Sequence, residues 1–532
     1  MKNVNNMDFK ISPFQLVIGI SIVVVILGTG LMVISGQSNV GTNNLQQTEI
    51  YYIDAAALPE LKPTETAVLT DKERFNLSAD IVKRKIQGKD IAWFGYNMQS
   101  PGPLLKVKQG SIVFINFTNN LDQPTTVHWH GLRLENAFDG VPEVTQDEVL
   151  PGKSFEYKLD FPDAGLFWYH PHVREDLQQE LGLYGAILVE PTESDGTEQQ
   201  EVLVLDDVLV DDGGIPEFEN DRTNFALMGR YGNLLLVNGI PNYKISASQG
   251  KILKLYLLNA ANVRPINFAI EGAKMKVIGG DASLYEKPFL ADSVVLGPSE
   301  RAIVELFFDN SGDYKILNKT PVSTLTFGSV SVQPSQLNLQ EQGDFGNFSE
   351  TTTANEVAAL RQYFDGAPDF EYELLIRWPP MDRMMERMGH SMTEMHVGSD
   401  GIEWEDSMRH INEITTNEEL TWIIRDAKTK KENMGFLQTI KKGEYKKIRI
   451  TNLENSSHPM QHPIHLHGNR FLVIDKDGKR NENLVWKDTV MVPTGSTVDL
   501  LVEFTNPGDW MLHCHIAEHL SSGMMTLVEV TE

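Results

Sequence analysis

The fold of this 532-residue chain is constrained most by a spacing that recurs three times along it. A glycine precedes an asparagine by nine residues at Gly110 and Asn119, at Gly250 and Asn259, and at Gly443 and Asn452. Each interval is rich in β-branched and alternating apolar residues, which is the pattern of a strand. A strand that recurs together with its flanking residues indicates repeated domains rather than one continuous core.

A second spacing follows the first in every copy. A glycine or serine precedes a glycine by thirteen residues at Gly152 and Gly165, at Ser299 and Gly312, and at Gly495 and Gly508. The enclosed segments (SFEYKLDF, RAIVELFF and TVDLLVEF) are again strand-like. Helical periodicity is scarce, and short strands with Gly and Pro turns are typical of sandwiches and barrels. We therefore predict an all-β chain with three homologous domains, at residues 66–193, 194–345 and 346–532.

The net charge argues against a nucleic-acid partner, and the single cysteine excludes an intrachain disulfide. A formal charge of −27 argues against nucleic acid as a partner, because a phosphate backbone needs a basic surface. Cys514 is the only cysteine, so an intrachain disulfide is impossible and the fold must depend on packing.

The N-terminus carries a localisation signal. No residue between Phe14 and Ile34 is charged, and the run is long enough for a membrane-spanning helix. Lys2 and Lys10 precede the run, and the next basic residue is Lys62. By the positive-inside rule, the N-terminus stays in the cytoplasm and the remainder is exported.

We predict from this signal an extracytoplasmic protein that is anchored in the cell membrane. Residues 1–10 would be cytoplasmic, residues 11–35 would form the transmembrane anchor, and residues 36–65 would form a polar tether. The alternative is a signal sequence that is cleaved near residues 35–38, which would leave the protein secreted or periplasmic.

Ten of the fourteen histidines fall in four motifs, which are HWH at 128–130, HPH at 170–172, HPIHLH at 462–467 and HCHIAEH at 513–519. The repeat aligns two of them, because HPH begins five residues after Gly165 and HCH begins five after Gly508. The middle domain has no histidine, so we predict metal in the first and third domains and a spacer between them.

Strand geometry divides these side chains into two groups. Alternate residues of a strand share a face, so the four H-x-H pairs direct eight imidazoles to a common site. Cys514 and His462 face the other way. With His519 and Met524 they form the two-His, one-Cys, weak-Met set of a blue-copper site. One cysteine among paired histidines suits copper better than zinc.

With these motifs, the chain resembles the multicopper oxidases from about residue 66 onward, a family that includes laccases, bilirubin oxidases and bacterial cuprous oxidases. The resemblance implies three cupredoxin-like Greek-key β-sandwich domains and four copper ions, three of them in a cluster between the first and third domains. The ligands it implies are His462, Cys514, His519 and Met524 for type 1 copper, His128 and His465 for type 2, and His130, His170, His172, His467, His513 and His515 for the type 3 pair.

The resemblance also implies the reaction. Four one-electron oxidations of substrate at type 1 copper would be coupled to reduction of O2 to water at the cluster, with Cys514 relaying electrons to His513 and His515. Asp139 matches the acidic residue that the family places near the cluster for proton delivery, although Asp139-Gly140 is also a turn dipeptide.

Many bacterial relatives carry a second acidic residue directly after the last type 1 histidine. This chain has Leu520 there, so that second proton relay is in doubt. Glu518 is near in sequence, but we expect its side chain to point elsewhere.

A methionine-rich segment at residues 381–396 bears on the substrate. Its methionines recur at helical spacing without Leu, Ile or Val, and thioethers with histidines suit Cu(I), although a packing lid is the alternative. The candidate substrate-copper ligands are Met381, Met384, Met385, Met388, His390, Met392, Met395, His396, His458 and Met460. Cuprous oxidases carry such a segment, and Met460 matches one of their ligands, but His458 replaces an acidic one.

Two functions therefore stay open. The first is a metallo-oxidase acting on Cu(I), Fe(II) or Mn(II), and the second is a laccase-like oxidase of phenols and aromatic amines. A non-catalytic cupredoxin scaffold is disfavoured by the full ligand set. A copper nitrite reductase is disfavoured because it needs no HCH segment serving a type 3 pair.

Overall fold

The computed structural model describes residues 54–193, 199–211, 214–335, 338–382 and 398–532. The hydrophobic segment at 11–35 lies outside these ranges. Within them, no helix combines the length and the apolar character that crossing a membrane requires. Strands dominate the described residues, which confirms the all-β prediction.

The first sheet pair, as we name it, contains nine strands in the first third of the chain. They are β1 Thr66–Leu69, β2 Arg74–Ile86, β3 Lys89–Tyr96, β4 Leu104–Lys108, β5 Ile112–Asn119, β6 His128–His130, β7 Ser154–Asp160, β8 Gly165–His170 and β9 Gly185–Glu190. One sheet has the order β1-β4-β9-β8-β6 and the other has the order β3-β2-β5-β7.

The middle sheet pair contains the next eleven strands. They are β10 Gln199–Val208, β11 Leu234–Val237, β12 Tyr243–Ser248, β13 Ile252–Asn259, β14 Ile266–Ile270, β15 Lys274–Gly279, β16 Leu284–Leu290, β17 Val294–Leu296, β18 Arg301–Phe307, β19 Gly312–Lys319 and β20 Thr324–Gln333. Its sheets have the orders β11-β10-β13-β18-β15-β16 and β12-β20-β19-β14-β17.

The third sheet pair contains twelve strands. They are β21 Phe370–Arg377, β22 Thr421–Asp426, β23 Leu437–Lys441, β24 Tyr445–Asn452, β25 His462–Leu466, β26 Arg470–Lys476, β27 Lys479–Arg480, β28 Trp486–Lys487, β29 Thr489–Val492, β30 Thr497–Glu503, β31 Gly508–Cys514 and β32 Met525–Thr531. One sheet has the order β22-β21-β24-β30-β26-β27, with β28 beside β26, and the other has the order β23-β32-β31-β25-β29.

The helices are short and lie between strands. The α-helices are α1 Glu175–Gln178, α2 Leu339–Phe345, α3 Thr352–Leu360, α4 Arg409–Ile414 and α5 Ala517–Ser521. Single 3-10 turns occupy Ala55–Ala57, Asn136–Phe138, Arg361–Tyr363 and Asn433–Gly435.

The internal repeat corresponds to one strand arrangement that is formed three times. The strands that begin after the first repeated glycine are β5, β13 and β24, and each pairs in parallel with one strand and antiparallel with the strand of the second spacing. The turn residue before that second strand donates its N–H to the carbonyl of the repeated asparagine in every copy, at 2.8, 2.8 and 3.0 Å.

Ser299 shows why this turn selects glycine. The residues at its position have φ of +72° at Gly152, +71° at Ser299 and +76° at Gly495. Glycine adopts this left-handed conformation without steric cost, so the two glycines fit the turn and the serine is the strained member. The domain boundaries at 193/194 and 345/346 stay predictions.

Each sheet pair has an apolar core, and the core of the first continues into Leu472 and Trp486 of the third. The buried aromatic residues of these cores include Trp93 and Phe117 in the first, Phe268 and Phe327 in the middle, and Trp422 and Trp510 in the third sheet pair. Full burial of one large apolar side chain stabilises a fold by roughly 1.5–3 kcal/mol. Cys514 is buried and unbridged, so these cores and the sheet hydrogen bonds hold the fold.

Candidate metal centres

The H-x-H motifs meet at the junction of the first and third sheet pairs. β6 pairs with β8, which places His128 opposite His170, and β25 pairs with β31, which places His465 opposite His513. Contacts also cross between the sheet pairs. The ring centroids of His130 and His465 are 3.7 Å apart.

All eight imidazoles of these motifs are buried in this cluster. Nε2 of His467 lies 2.9 Å from Nε2 of His513, and Nε2 of His515 lies 3.2 Å from Nε2 of His170. The nitrogens of three sets approach within 4.8 Å of one another, which are His172 with His467 and His513, His128 with His465 and His467, and His128 with His130 and His170.

The unpaired ring nitrogens test whether a metal fits. Nε2 of His128, His172 and His465 and Nδ1 of His130 are buried and have no hydrogen-bond partner among the described residues. An unsatisfied buried polar atom costs about 1–3 kcal/mol. Metal ions bound among these lone pairs would satisfy them, so the donor set fits copper or another imidazole-binding metal.

The other nitrogen of several rings is held by a carbonyl oxygen. Nδ1 of His128 lies 2.8 Å from the carbonyl of Asp139, and Nδ1 of His465 lies 2.9 Å from the carbonyl of Asp488. Nδ1 of His513 lies 2.9 Å from the carbonyl of Cys514. Such bonds fix the tautomer and the orientation of metal-binding histidines.

Burial favours the neutral imidazole at several rings of the cluster. Desolvation, reinforced by neighbouring imidazoles, lowers the pKa of His130, His465 and His467 well below its ordinary value. A neutral imidazole has the free lone pair that metal binding needs.

Asp139, which the family resemblance singled out, faces this cluster. Its carboxylate is buried, with Oδ2 2.8 Å from Nδ1 of His467 and Oδ1 3.3 Å from Nδ1 of His128. Asp139 also ends a 3-10 turn, and Gly140 follows it with φ of +86°. Asp139 is therefore both a turn residue and a contact of the cluster, because the turn directs its side chain towards these histidines.

The carboxylates of Glu175 and Asp488 also contact cluster histidines, and neither was identified from the sequence. Oε1 of Glu175 lies 2.9 Å from Nδ1 of His172, and Oδ1 of Asp488 lies 2.9 Å from Nε2 of His130. The three-residue spacing of His172 and Glu175 could have indicated the first contact, since such residues are neighbours on a helical turn. No local spacing indicates the second.

The second candidate centre contains the cysteine. Sγ of Cys514 lies 3.5 Å from Nδ1 of His462 and 3.6 Å from Nδ1 of His519, and the two nitrogens are 3.3 Å apart. A point equidistant from these three atoms is about 2 Å from each, which is close to a metal–nitrogen bond length. The three donors therefore fit a single metal ion.

The remaining member of this set is Met524, which is buried beside Cys514. Its carbonyl accepts a 3.1 Å hydrogen bond from the backbone N–H of Cys514. Burial raises the pKa of the Cys514 thiol, so a bound metal ion is needed to hold it as the thiolate.

An aromatic ring packs against the two histidines of the cysteine centre. The ring of Trp422 stacks on His519 at 4.0 Å between centroids and lies 5.0 Å from His462. Both histidines are 0 % exposed. Burial lowers the pKa of His462 to about 3, so the ring is neutral.

Glu518 and Leu520 both lie in helix α5, but their side chains have different surroundings. Leu520 packs against Val141 and Met511, so an apolar contact occupies the position after the last histidine. Oε1 of Glu518 accepts hydrogen bonds from Arg230 N–H at 3.2 Å and from Asn262 at 3.0 Å, both from the middle part of the chain. Glu518 therefore points away from the cluster, as expected.

The methionine-rich segment is described only at its start. Met381 is buried in the same apolar cluster as Met460, and Asp382 accepts a hydrogen bond from Ser457. His458 is also buried, and its Nε2 has no hydrogen-bond partner in the described part of the chain. Outside the described residues lie Met384, Met385, Met388, His390, Met392, Met395 and His396.

Comparisons with known proteins agree with this geometry. Three multicopper oxidase family models match residues 80–194, 189–337 and 404–532. Multicopper oxidase MmcO of Mycobacterium tuberculosis is 27% identical over 521 residues, which cover 90% of each chain.

Two solved structures extend the comparison. A multi-copper oxidase from Pseudomonas thermotolerans is 27% identical, with a TM-score of 0.65 over 87% of this chain and all of the other. A Campylobacter jejuni multicopper oxidase described as a metallo-oxidase shares the fold at 23% identity, with a TM-score of 0.67 over 90% of this chain and 98% of the other. Taken with the two metal centres, the three family matches show that this chain belongs to the multicopper oxidases, copper-dependent oxidoreductases that use O2.

Proposed function

We propose that this oxidase acts on reduced metal ions, with Cu(I) as the first substrate and Fe(II) and Mn(II) as further ones. The observation that carries the proposal is the burial of His462 and His519, which have no exposed surface. A phenol therefore has no imidazole edge to contact. A small ion bound near His462 needs only to pass an electron inward.

His458 and Met460 are the described side chains that suit such an ion. Both are buried, and burial lowers the pKa of His458 to about 4, so its imidazole is neutral. Asn452 holds the carbonyl of Met460 at 2.7 Å and so fixes this segment ahead of His462. A neutral imidazole and a thioether are ligands that Cu(I) prefers.

The proposal includes four copper ions. The type 1 ligands would be His462, Cys514, His519 and Met524, the type 2 ligands His128 and His465, and the type 3 ligands His130, His170, His172, His467, His513 and His515. When bound, copper supplies one-electron acceptance at the type 1 position and four-electron reduction of O2 to water at the cluster.

Two residues of the chain serve that chemistry directly. Cys514 is covalently continuous with His513 and His515, whose rings lie in the cluster 5.4 Å apart, so electrons have a path along the backbone. Asp139 holds a hydrogen bond with Nδ1 of His467 inside the protein, where it can keep a proton beside the site of O2 reduction.

We also propose that the enzyme works outside the cytoplasm, anchored by residues 11–35. The support is the uncharged run with basic residues only on its N-terminal side. Protease added to intact cells should degrade the oxidase and leave cytoplasmic markers whole, whereas protection of the oxidase would contradict the proposal.

O2 consumption with four reductants tests the substrate. Cu(I), Fe(II), Mn(II) and a phenol are compared for the wild type, for a deletion of 381–396, and for Met460→Leu and His458→Phe. Met434→Leu and His410→Gln are matched controls, because Met434 is 49% exposed and His410 lies on the exposed face of α4.

We expect Cu(I) to be the fastest substrate, and the deletion and both test variants to raise the KM for Cu(I). The two controls should leave it unchanged. Faster turnover of phenol than of all three ions, with no effect of Met460→Leu, would favour the laccase-like alternative. An unchanged KM for Cu(I) after the deletion would make 381–396 a packing segment.

A further inference from the structure

The middle sheet pair places charged side chains beside the cluster although residues 199–335 contain no histidine. Arg301, the first residue of β18, is buried where the three sheet pairs meet. Its Nε donates to the carbonyl of Leu166 in β8 at 2.8 Å. Its two terminal nitrogens donate to the two carboxylate oxygens of Asp488, with Nη1 at 2.7 Å from Oδ1.

Asp488 in turn contacts two of the proposed copper ligands. Its Oδ1 lies 2.9 Å from Nε2 of His130, and its backbone carbonyl lies 2.9 Å from Nδ1 of His465. Thr489 also donates to Oδ1 at 2.9 Å. The carboxylate is therefore fully occupied and fixed in direction.

Asp281, a second residue from the middle sheet pair, fixes the backbone at the same point. Its Oδ2 accepts from the N–H groups of Asp488 and Thr489 at 3.3 and 3.4 Å, and its Oδ1 accepts from the N–H of Arg301 at 2.8 Å. Arg301 and Asp488 therefore cannot shift independently of each other.

His130 is the ligand whose orientation depends on this arrangement. The other seven cluster histidines direct Nε2 inward, either unpaired, as in His128, or facing another Nε2, as in His467 and His513. His130 instead binds Asp488 through Nε2 and leaves Nδ1 as its unpaired nitrogen, judged against the described residues. The partner of Nε2 decides which nitrogen carries the lone pair.

We propose that Arg301 is a positioning residue of the oxygen-reducing cluster. It orients Asp488, and Asp488 holds His130 with Nδ1 towards the metal. The middle sheet pair, which supplies no ligand, thereby sets the donor atom of a ligand in the first. This inference rests on the proposed copper assignment of His130.

Two substitutions at Arg301 test the role. Arg301→Met removes the guanidinium group that donates to both carboxylate oxygens of Asp488. Arg301→Lys keeps the buried charge but offers a single ammonium group, which does not reproduce a bidentate contact. Arg264→Met is the matched control, because Arg264 is also a buried arginine of the middle part of the chain, binding Asp207 at 2.6 Å and the carbonyl of Trp404 at 3.1 Å.

The readouts are the melting temperature of the metal-free protein, copper per chain, the blue type 1 absorption and the near-ultraviolet absorption of the type 3 pair. Loss of an outer partner of a metal ligand weakens metal binding by about 10–100-fold. We expect both Arg301 variants to lose cluster copper and the type 3 band while the blue colour stays. Arg264→Met should keep all of its copper signals.

Three results would overturn the proposal. One is a full type 3 band in Arg301→Met, or in Arg301→Lys where the methionine variant does not fold. Another is an equal loss of cluster copper in Arg264→Met, which would show only weakened packing between sheet pairs. A type 3 band that survives His130→Ala would instead refute His130 as a copper ligand. This result would show that the proposed copper assignment fails, and not only the positioning role of Arg301.

Discussion

The carboxylate of Asp139 lies 2.8 Å from Nδ1 of His467, although 328 residues separate them in the chain. Asp139 comes from the turn after β6 in the first sheet pair, and His467 follows β25 in the third. The hydrogen bond therefore joins the two halves of the cluster. It also places an acidic group beside the proposed site of O2 reduction.

Asp139→Asn should slow O2 reduction and leave reduction of type 1 copper unchanged. The amide keeps the shape of the carboxylate but cannot hold a transferable proton, and loss of general acid catalysis costs about 10²-fold or more. Stopped-flow measurement would follow anaerobic bleaching of the blue colour separately from its return with O2. The exposed Asp147→Asn is the control. Equal rates of reoxidation in Asp139→Asn and the wild type would refute the relay.

Cys514→Ser should abolish the blue colour and all oxidase activity, because no other thiolate exists in the chain. Met524→Leu is the contrasting variant, since a weak axial ligand tunes the redox potential without creating the colour. Visible absorption and O2 consumption measure both. A blue Cys514→Ser protein would show that the type 1 assignment is wrong.

Gly140→Ala should destabilise the protein far more than Gly110→Ala. Both glycines have positive φ, +86° and +84°, so each alanine adds the left-handed cost of about 1–2 kcal/mol. A Cβ at Gly140 would also lie 2.0 Å from the carbonyl of Val127, whereas at Gly110 nothing lies within 4 Å. Thermal unfolding of the metal-free variants compares them. Equal melting temperatures would show that the turn after Asp139 is not tightly packed.

Asp206→Asn should flatten the pH dependence of stability. Burial raises the pKa of Asp206 from 3.8 to about 7, against the hydrogen bond from Tyr184. The unfolded carboxyl ionises first as pH rises, so the folded state loses stability between about pH 4 and 7. The melting temperatures of metal-free wild type and variant should therefore diverge across this interval, with the variant relatively more stable at pH 7. A constant difference would contradict the raised pKa.

Much of the architecture was predictable because it depends on local periodicity. The two recurring spacings identified the strands that became β5, β13 and β24 and their antiparallel partners. The alternation of a strand placed His513 and Cys514 on opposite faces, and the structure brings one ring to the cluster and the thiol to His462. The predictions for the methionine-rich segment and the membrane anchor concern residues that the structure largely does not describe, so they stay predictions.

The sequence by itself determined which residues share a face, because side chains alternate along a strand whatever surrounds it. Asp139 was singled out by the resemblance to the multicopper oxidases, as the acidic residue nine positions after His130. Only the tertiary structure decided that Asp488 contacts His130 and that Arg301 binds Asp488, from which it is 187 residues away in the sequence. An ion pair between distant segments has no period and no fixed spacing. It forms because burial at the junction of the sheet pairs requires each charge to have a partner there.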